Sequence, residues 1–273
     1  MSLMQFNFES EYLQGNTSVS IILPDKPRTK TPAQFYGSDK KYKVLWLLHG
    51  TFGDSTDWIR KSNIELYACE RDLIVVMPSA LNTNYANWPD FSIGYNMYDF
   101  LTEELMPLVY GWLPASDKRE DNFIAGLSMG GSGCVKIGLA RPENYAAIGC
   151  LSAGMSTVKN KVTRSNNPLW QKRMYATYGN RDLVGTEEDT PASVHRILAE
   201  KLPAPMIYHA CGSEDFLLES AHEMRDFFQN IPGNPFNYTY EENPGAHTWE
   251  FWDEHNQHFL KLLNLEPQKD IRN

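Results

Sequence analysis

The sequence lacks the cysteine patterns that would point to a metal centre or a disulfide framework. Its four cysteines are Cys69, Cys134, Cys150 and Cys211, and they form no C-x-x-C pair and no metal-site spacing. Cys134 and Cys150 lie in apolar segments, where free structural thiols are usually found. We therefore expect no metal site, and a reducing cytoplasm suits these thiols.

Positive charge and long apolar runs are also scarce. The 273-residue chain has 25 Lys and Arg against 34 Asp and Glu, a formal charge of −9, and no basic block. This balance argues against nucleic acid or an anionic membrane as the main partner. No apolar run approaches the ~18 residues of a membrane span, and the N-terminus has no signal-peptide pattern. We expect a cytoplasmic protein, with a trimmed secretion signal as the open alternative.

What the chain does contain is an alternation of strand-like and helix-like segments. Continuous apolar runs, typical of strands buried on both faces, occur at residues 43–48, 73–77, 146–151 and 206–211. Helical patterns separate them, so the sequence predicts one α/β domain over residues 1–273, with a mainly parallel sheet flanked by helices.

Three further segments carry specific expectations. The chain begins with strand-like runs at 6–13 and 17–23, and the pair Gly15-Asn16 between them predicts the turn of an antiparallel hairpin. A helix is predicted over 97–109, with Pro107 expected to distort or end it. Residues 153–205 show no clear strand and predict a small cap insertion over the top of the sheet.

One stretch combines a short apolar run, a sharp glycine-rich turn and a helix that continues to about Arg141. Its centre is Gly126-Leu127-Ser128-Met129-Gly130, the G-x-S-x-G nucleophile elbow in the strand-turn-helix context that the motif requires. Glycine is needed on both sides of the serine because larger side chains would collide with the neighbouring strand and helix. A glycine-rich turn with a helix-capping serine is the alternative.

Two other strand ends carry groups that would complete a catalytic site. Asp215 lies four residues beyond the strand that ends at Cys211, and His247 lies in the loop after the last predicted strand. In an open parallel sheet, reactive groups collect at the carboxyl ends of strands. The order Ser, Asp, His is that of α/β-hydrolases. We therefore predict Ser128 as nucleophile, His247 as its base, and Asp215 as the group that orients the histidine.

The predicted oxyanion hole needs two backbone N–H donors. Met129, at the start of the elbow helix, and Thr51, in the loop after the 43–48 strand, are the candidates. His49 precedes the glycine of that loop, and we expect it to be structural. Asp182, within the predicted cap, is the rival to Asp215.

The remaining histidines lie on helical segments or lack a glycine-rich loop; they are His195, His209, His222, His255 and His258. Trp249 and Trp252 are predicted core anchors of the last helix. Tyr85, Trp88 and Tyr95 lie in a polar, aromatic loop that should border the site, and they are the candidate substrate-pocket residues.

Five stretches together carry a family resemblance: Leu47-Leu48-His49-Gly50, Glu103-Glu104-Leu105-Met106-Pro107, Gly126-Leu127-Ser128-Met129-Gly130-Gly131, Cys211-Gly212-Ser213-Glu214-Asp215-Phe216 and Gly245-Ala246-His247-Thr248-Trp249. The chain resembles the esterase D-like branch of α/β-hydrolases, which includes tributyrin-type carboxylesterases, S-formylglutathione hydrolases, and acetyl-xylan and feruloyl esterases. The resemblance implies an α/β-hydrolase fold, the same triad and oxyanion donors, and self-association.

The oxyanion loop narrows the choice within this branch. Thr51 to Trp58 looks like the tributyrin-esterase type and lacks the Leu-Thr-Cys typical of S-formylglutathione hydrolases. We therefore expect a serine carboxylesterase that cleaves small, short-chain acyl esters through an acyl-enzyme, without metal or organic cofactor. S-formylglutathione hydrolysis and deacylation of acetylated or feruloylated carbohydrate are the alternatives within the class. A non-catalytic α/β-hydrolase used for binding is the alternative outside it.

Overall fold

A mixed sheet forms the centre of the molecule in the computed structural model, which describes residues 2–158, 167–179, 181–263 and 265. The strands are β1 (Ser2–Ser10), β2 (Gly15–Leu23), β3 (Val44–Leu48), β4 (Ile74–Pro78), β5 (Asn87–Trp88), β6 (Tyr95–Asn96), β7 (Asn122–Leu127), β8 (Ala147–Leu151), β9 (Met206–Gly212) and β10 (Thr239–Asn243). Eight of them form one sheet in the order β1-β2-β4-β3-β7-β8-β9-β10, and β5 pairs with β6 separately. Only the β1–β2 and β2–β4 pairings in the large sheet are antiparallel. The mainly parallel sheet predicted from the sequence is confirmed.

The first hairpin turns earlier than predicted. Ser10 pairs with Gly15, so Gly15 and Asn16 belong to β2 and the turn consists of residues 11–14. The Leu13 N–H donates to Ser10 Oγ at 3.0 Å, and Ser10 Oγ donates to Glu104, so a tertiary contact fixes the turn at this point. The prediction of a turn at Gly15-Asn16 is wrong, because the Ser10–Glu104 contact outweighs the preference of Gly and Asn for turn positions.

Helices cover both faces of the sheet. They are α1 (Pro32–Tyr36), α2 (Asp57–Lys61), α3 (Ile64–Cys69), α4 (Met97–Asp99), α5 (Met106–Trp112), α6 (Met129–Ala140), α7 (Pro168–Tyr178), α8 (Thr190–Glu200), α9 (Leu218–Gln229) and α10 (Trp249–Leu262). A π-helical segment, Phe100–Leu105, joins α4 to α5 and places Pro107 in the first turn of α5. The predicted helix is therefore distorted before Pro107 and continues beyond it. The Met106 N–H bonds to Leu101 O in a wider π-helical turn, and Pro107, which has no N–H to donate, follows directly.

The residues of β3 show why its sequence is a continuous apolar run. Trp46 and Leu48 pack into one core layer with residues of α5, α6, α8 and α9. Leu45 and Leu47 point to the opposite face and pack with residues of α3 and α10. Alternate side chains of a strand face opposite sides of a sheet, so a strand covered on both sides needs apolar residues throughout.

The predicted cap segment divides into two parts in the structure, and its residues 159–166 lie outside the described part of the chain. Helix α8 packs Ile197 into the main core, as a crossover helix between β8 and β9 does. Helix α7 instead packs Met174 and Tyr178 on Ala86, in the loop that follows β4. Of the two helices, α7 is therefore the one positioned over the loops at the strand ends.

Candidate active site

Three strand ends bring Ser128, Asp215 and His247 into one hydrogen-bonded row. Ser128 follows β7, Asp215 follows β9, and His247 lies between β10 and α10. His247 Nε2 lies 3.0 Å from Ser128 Oγ, and His247 Nδ1 lies 2.8 Å from Asp215 Oδ2. Because β7, β8, β9 and β10 run parallel in neighbouring positions, their carboxyl ends lie at the same edge.

Ser128 occupies the strained corner between β7 and α6. Its backbone has φ 53° and ψ −118°, a region that side-chain-bearing residues rarely adopt and that costs on the order of 1–3 kcal/mol. A Cβ at Gly126 would lie 2.5 Å from the Gly130 carbonyl oxygen, and one at Gly130 would lie 2.5 Å from the Leu48 oxygen. The Ser128 N–H donates to Leu151 O at 2.8 Å, which holds the corner against β8. Both glycines are therefore required by close backbone approach.

The charge state of Asp215 fixes the tautomer of His247. Burial acts to raise the pKa of Asp215, but hydrogen bonds from His247 and the Leu217 N–H outweigh it, so this pKa lies below its usual value. The side chain has no exposed surface and also receives the Leu217 N–H at 2.8 Å. An ionised Asp215 accepts the Nδ1–H of His247, which leaves Nε2 free to accept the Ser128 hydroxyl proton.

The rival acid takes no part in this row. Asp182 is exposed, lies in the loop after α7, and accepts the Val184 N–H at 3.0 Å. Among the described residues, the histidine that hydrogen-bonds to Ser128 is His247.

His49 organises the loop that contains Thr51. Its Nε2 accepts the Ala80 N–H at 2.9 Å, so its Nδ1–H donates to the Gly50 carbonyl at 2.7 Å. Burial lowers the pKa of His49, which keeps the ring neutral. The C=O and the following N–H of a trans peptide point in opposite directions, so the Thr51 N–H is turned away from His49. A Cβ on Gly50 would lie 3.5 Å from Ser128 Cβ, so this loop lies directly against the serine.

Met129 presents a second backbone donor beside Ser128. It is the first residue of the twelve-residue helix α6, and the first N–H groups of a helix have no intrahelical acceptor. The positive end of the helix dipole adds to the attraction for negative charge at this point.

Arg173 of α7 is a site residue that the sequence analysis missed. It donates to Thr51 Oγ1 at 3.1 Å and to Asn84 Oδ1 at 2.6 Å, and it lies 3.0 Å from Met129 Sδ. Burial lowers the pKa of Arg173, and none of its polar partners among the described residues carries a negative charge. The arginine thus places a positive charge beside both predicted oxyanion donors. Its partner Thr51 is 122 residues away in the chain, so no local pattern could have revealed the contact.

The three aromatic pocket candidates have different positions. Tyr85 is fully buried, donates to the His49 carbonyl at 3.0 Å and fills the space left by Gly133. The expectation that Tyr85 lines an open pocket is wrong, because its ring and hydroxyl are used in packing. Trp88 and Tyr95 are partly exposed and pair across the β5–β6 hairpin at 6.4 Å between ring centroids. Their role in a pocket stays a prediction.

Other aromatic side chains border the row directly. Phe216 is 76% exposed and its ring lies 4.4 Å from that of His247. Trp252 is buried, packs its ring edge-on to His247 at 4.8 Å and donates Nε1–H to Ser152 at 2.8 Å. Trp252 is therefore a core anchor, as predicted, and it also supports the histidine. Phe216 forms an apolar rim on the solvent side.

The fold and this row of residues define the class of protein, and comparison with known proteins identifies the family. Residues 10–256 match the model of the esterase family, described as "putative esterase". The chain belongs to this family, and it is a carboxylic ester hydrolase with the α/β-hydrolase fold, as the sequence predicts.

Individual relatives agree with this assignment. An acetyl esterase from Caldicellulosiruptor saccharolyticus is 32% identical over 264 residues, covering 93% of this chain and 95% of the relative. The structure of FphF, a fluorophosphonate-binding serine hydrolase from Staphylococcus aureus, has a TM-score of 0.81 at 30% identity and covers 96% of this chain and 98% of that one. An S-formylglutathione hydrolase from the same organism has a TM-score of 0.79 at 29% identity, with the same coverage.

Proposed function

We propose that Ser128, His247 and Asp215 are the catalytic triad of a serine carboxylesterase that acts on short-chain acyl esters. The observation that supports this most is the position of His247, which lies 3.0 Å from Ser128 Oγ and 2.8 Å from Asp215 Oδ2. A serine hydroxyl is a weak nucleophile and needs a base at this distance. The strained backbone of Ser128 and the two adjacent backbone donors supply the rest of an acyl-transfer site.

In the proposed acylation step, Ser128 Oγ attacks the ester carbonyl carbon while His247 Nε2 takes the hydroxyl proton. The Thr51 and Met129 N–H groups stabilise the oxyanion that forms on the carbonyl oxygen. Asp215 stabilises the imidazolium. His247 then gives its proton to the leaving alcohol as the C–O bond breaks, which leaves the acyl group on Ser128.

Deacylation repeats the same proton transfers with water. His247 takes a proton from water as the water oxygen attacks the acyl carbon, and returns it to Ser128 Oγ as the acid leaves. No metal ion or organic cofactor enters either step, and the substrate is a small-molecule ester.

Two substrate classes have specific support. The acetyl esterase relative and the tributyrin-type loop after Gly50 favour a short acyl group on an alcohol. The S-formylglutathione hydrolase of similar structure favours a glutathione thioester. Arg173, a cation next to Thr51, would suit the carboxylates of such a leaving group. We rank the short-chain ester first.

The test compares turnover of a substrate panel by the wild type, Ser128→Ala and Ser132→Ala. The panel holds p-nitrophenyl acetate, butyrate and octanoate, S-formylglutathione, acetyl-xylan and a feruloyl ester. We expect acetate and butyrate to be cleaved best, and Ser128→Ala to lose about 10⁴ to 10⁶ in kcat. Ser132 is the matched control, because it lies one turn along α6 and donates to Gly154 O at 2.8 Å.

Wild-type turnover by Ser128→Ala would contradict the triad. A strong preference for S-formylglutathione, with the triad intact, would reverse the substrate ranking and leave the mechanism standing.

We also propose that the protein is a single domain, resides in the cytoplasm and self-associates. Four free thiols, three of them buried, suit a reducing compartment. Within the described ranges, no helix has the length and apolar character to cross a membrane. The support for self-association is the family resemblance, and light scattering coupled to size-exclusion chromatography tests it.

A further inference from the structure

A second cluster of reactive side chains lies between the edge strand β10 and helix α10. Glu241 of β10 and His255 and His258 of α10 direct one ligand-capable atom each toward a common point, with all three atoms within 4.8 Å of one another. Glu241 Oε2 lies 2.9 Å from His258 Nδ1 and 3.5 Å from His255 Nδ1. None of these residues belongs to the proposed triad.

The spacing of these atoms is close to that of a metal's ligand set. Ligands of a tetrahedral Zn²⁺ at bond lengths of about 2.0–2.1 Å lie about 3.3 Å from one another. The two distances from Glu241 fall on either side of this value. The two histidine nitrogens lie within 4.8 Å of each other, and side-chain rotation would have to bring all three atoms to about 3.3 Å from one another for a metal ion to bind them equally.

The surroundings provide both access and support. The side chains of His258 and Glu241 are about one-third exposed, at 32% and 33%, so a hydrated ion can reach them from the open edge of the sheet. His255 is 1% exposed and its ring stacks on Phe251 at 4.0 Å between centroids. One buried and two accessible ligands form a site that a metal ion can reach from solution and that packing holds in place.

Two further groups complete the environment. Tyr208 Oη lies 2.7 Å from His255 Nδ1 and 3.0 Å from Glu241 Oε2, next to the point where the ligand atoms converge. The Asn243 side-chain amide lies 3.4 Å from His255 Nε2. Because the two ends of an amide can exchange by rotation, Asn243 can accept an Nε2–H when Nδ1 binds a metal.

We propose that Glu241, His255 and His258 form a binding site for a divalent transition metal, with Zn²⁺ as the best match. Two imidazoles and one carboxylate are a ligand set that zinc favours. Each histidine moves its proton from Nδ1 to Nε2 on binding, so the imidazoles remain neutral and no redox step is involved. The proposed site departs from the sequence-based prediction of no metal site, which was based on the spacing of the cysteines.

The position of the site assigns it a stabilising role. Strand β10 ends at Asn243 and helix α10 begins at Trp249, and the loop between them carries His247. A metal bound to both elements would fix the two ends of this loop. The protein is thus expected to fold without the metal and to gain stability on binding it.

The experiment uses full-length protein freed of metal with a chelator, titrated with Zn²⁺ in a calorimeter and with Co²⁺ by visible absorption. We expect one Zn²⁺ per chain and the visible bands of tetrahedral Co²⁺. At Zn²⁺ 100-fold above Kd, the unfolding temperature should rise by about 5–10 °C. His258→Gln and Glu241→Gln should each weaken binding by about 100-fold or more, since each removes a ligand.

Two controls separate this site from others on the same molecule. His222 and Glu242 form a second His–Glu pair at 2.6 Å, and Glu242 follows Glu241 in β10, so its side chain leaves the strand on the other face. His222→Gln should bind Zn²⁺ as the wild type does. His247→Gln should also retain binding, which excludes zinc captured by the triad.

The proposal is overturned if metal-free protein binds neither ion, or if His258→Gln and Glu241→Gln bind Zn²⁺ like the wild type. It is also overturned if His222→Gln or His247→Gln loses the ion. Folding of each variant is checked by circular dichroism, and the one-third exposure of His258 and Glu241 favours tolerance of both substitutions.

Discussion

The strand-end site and the α7 cover lie against each other but are held by different forces. The strand-end site (Ser128, Asp215 and His247) is attached through short loops to the buried, hydrogen-bonded strands β7, β9 and β10. The α7 cover (residues 168–178) reaches the site through side chains, above all Arg173 and its bonds to Thr51 and Asn84. The first region has its geometry set by backbone, and the second by side-chain contacts, polar at Arg173 and apolar at Met174 and Tyr178.

This difference separates the chemistry from the choice of substrate. Acyl transfer requires reacting atoms that stay within a few tenths of an ångström of one position, and a sheet edge provides that rigidity. Residues of a cover that is held by side-chain contacts can be substituted without disturbing the sheet. We therefore expect substitutions in the first region to abolish turnover, and those in the second to alter stability and selectivity.

After Ser128→Ala, the largest effect is expected from Asp215→Asn. The asparagine amide would donate to His247 Nδ1, which shifts the ring proton to Nε2 and removes the acceptor that Ser128 needs. We expect kcat to fall about 10⁴-fold, measured with p-nitrophenyl acetate. Asp182→Asn is the control, because that exposed residue lies beyond α7 and should retain wild-type turnover. A kcat within tenfold of wild type for Asp215→Asn would assign the acid elsewhere.

A second large effect is expected on stability, from Lys136→Met. Lys136 of α6 donates to Glu188 at 2.6 Å and to Asn84 O at 2.9 Å, and the two charged side chains are 2% and 3% exposed. Removing the cation leaves a buried carboxylate without its counter-charge, so we expect a loss of about 3–5 kcal/mol in the free energy of unfolding, measured in urea.

The double variant Lys136→Met with Glu188→Met should recover most of this loss, because apolar replacement of a whole buried ion pair is often close to neutral. If the free energy of unfolding of the single variant is within 1 kcal/mol of the wild-type value, the buried Lys136–Glu188 pair contributes little to the attachment of the loop before α8 to α6.

The contrast between the two regions also explains what the sequence could predict. Each corner of the strand-end site is a local pattern: a G-x-S-x-G turn after an apolar run for Ser128, and a polar loop after a strand for Asp215 and His247. Parallel strands must bring their carboxyl ends to one edge, so three local patterns were enough to predict one site. Most strand positions could also be predicted, because a strand that is covered on both faces is a continuous apolar run.

The sequence predicted a cap insertion over residues 153–205, but it could not predict the contacts of the α7 cover in this way, because they join residues that are distant in sequence. Arg173 meets Thr51 across 122 residues, and no spacing rule links them. Tyr85 was predicted to line a pocket because it lies in a polar loop, but the gap left by Gly133 made it a core residue. The pairing of Glu241 with His255 likewise depends on where α10 packs against the sheet edge.

A third prediction concerns the loss of stability in acid that a buried histidine of the sheet should cause. Burial lowers the pKa of His209 to about 4. This β9 residue accepts the Tyr238 hydroxyl on Nδ1 at 2.7 Å and donates Nε2–H to Ala153 O at 2.9 Å. In the unfolded chain the His209 imidazole binds a proton near pH 6.5, and in the folded protein it does so near pH 4. Acid therefore favours unfolding between these two pH values.

His209 should therefore contribute up to about 3 kcal/mol of stability at neutral pH that is lost as the pH falls from about 6.5 to 4. The measurement is urea unfolding at pH 7 and pH 4.5 for the wild type and His209→Gln. The variant should lose less stability between the two pH values than the wild type. An equal loss in both proteins would show that other groups account for the acid sensitivity, such as His49, whose pKa is also lowered by burial.

The smallest effect, and the sharpest test of the α7 cover, is on charge selectivity. Arg173 lies next to Thr51 and Met129 with no carboxylate among its described polar partners. An ion pair at a partly exposed site contributes up to about 1 kcal/mol, so Arg173→Met should lower kcat/KM for p-nitrophenyl hemisuccinate about 5-fold more than for p-nitrophenyl butyrate. Arg173→Lys should retain part of the preference, and Lys172→Met, an exposed neighbour, should retain all of it. If both esters lose kcat/KM equally in Arg173→Met, the arginine only positions the Thr51 loop, and charge selectivity must come from the strand-end site.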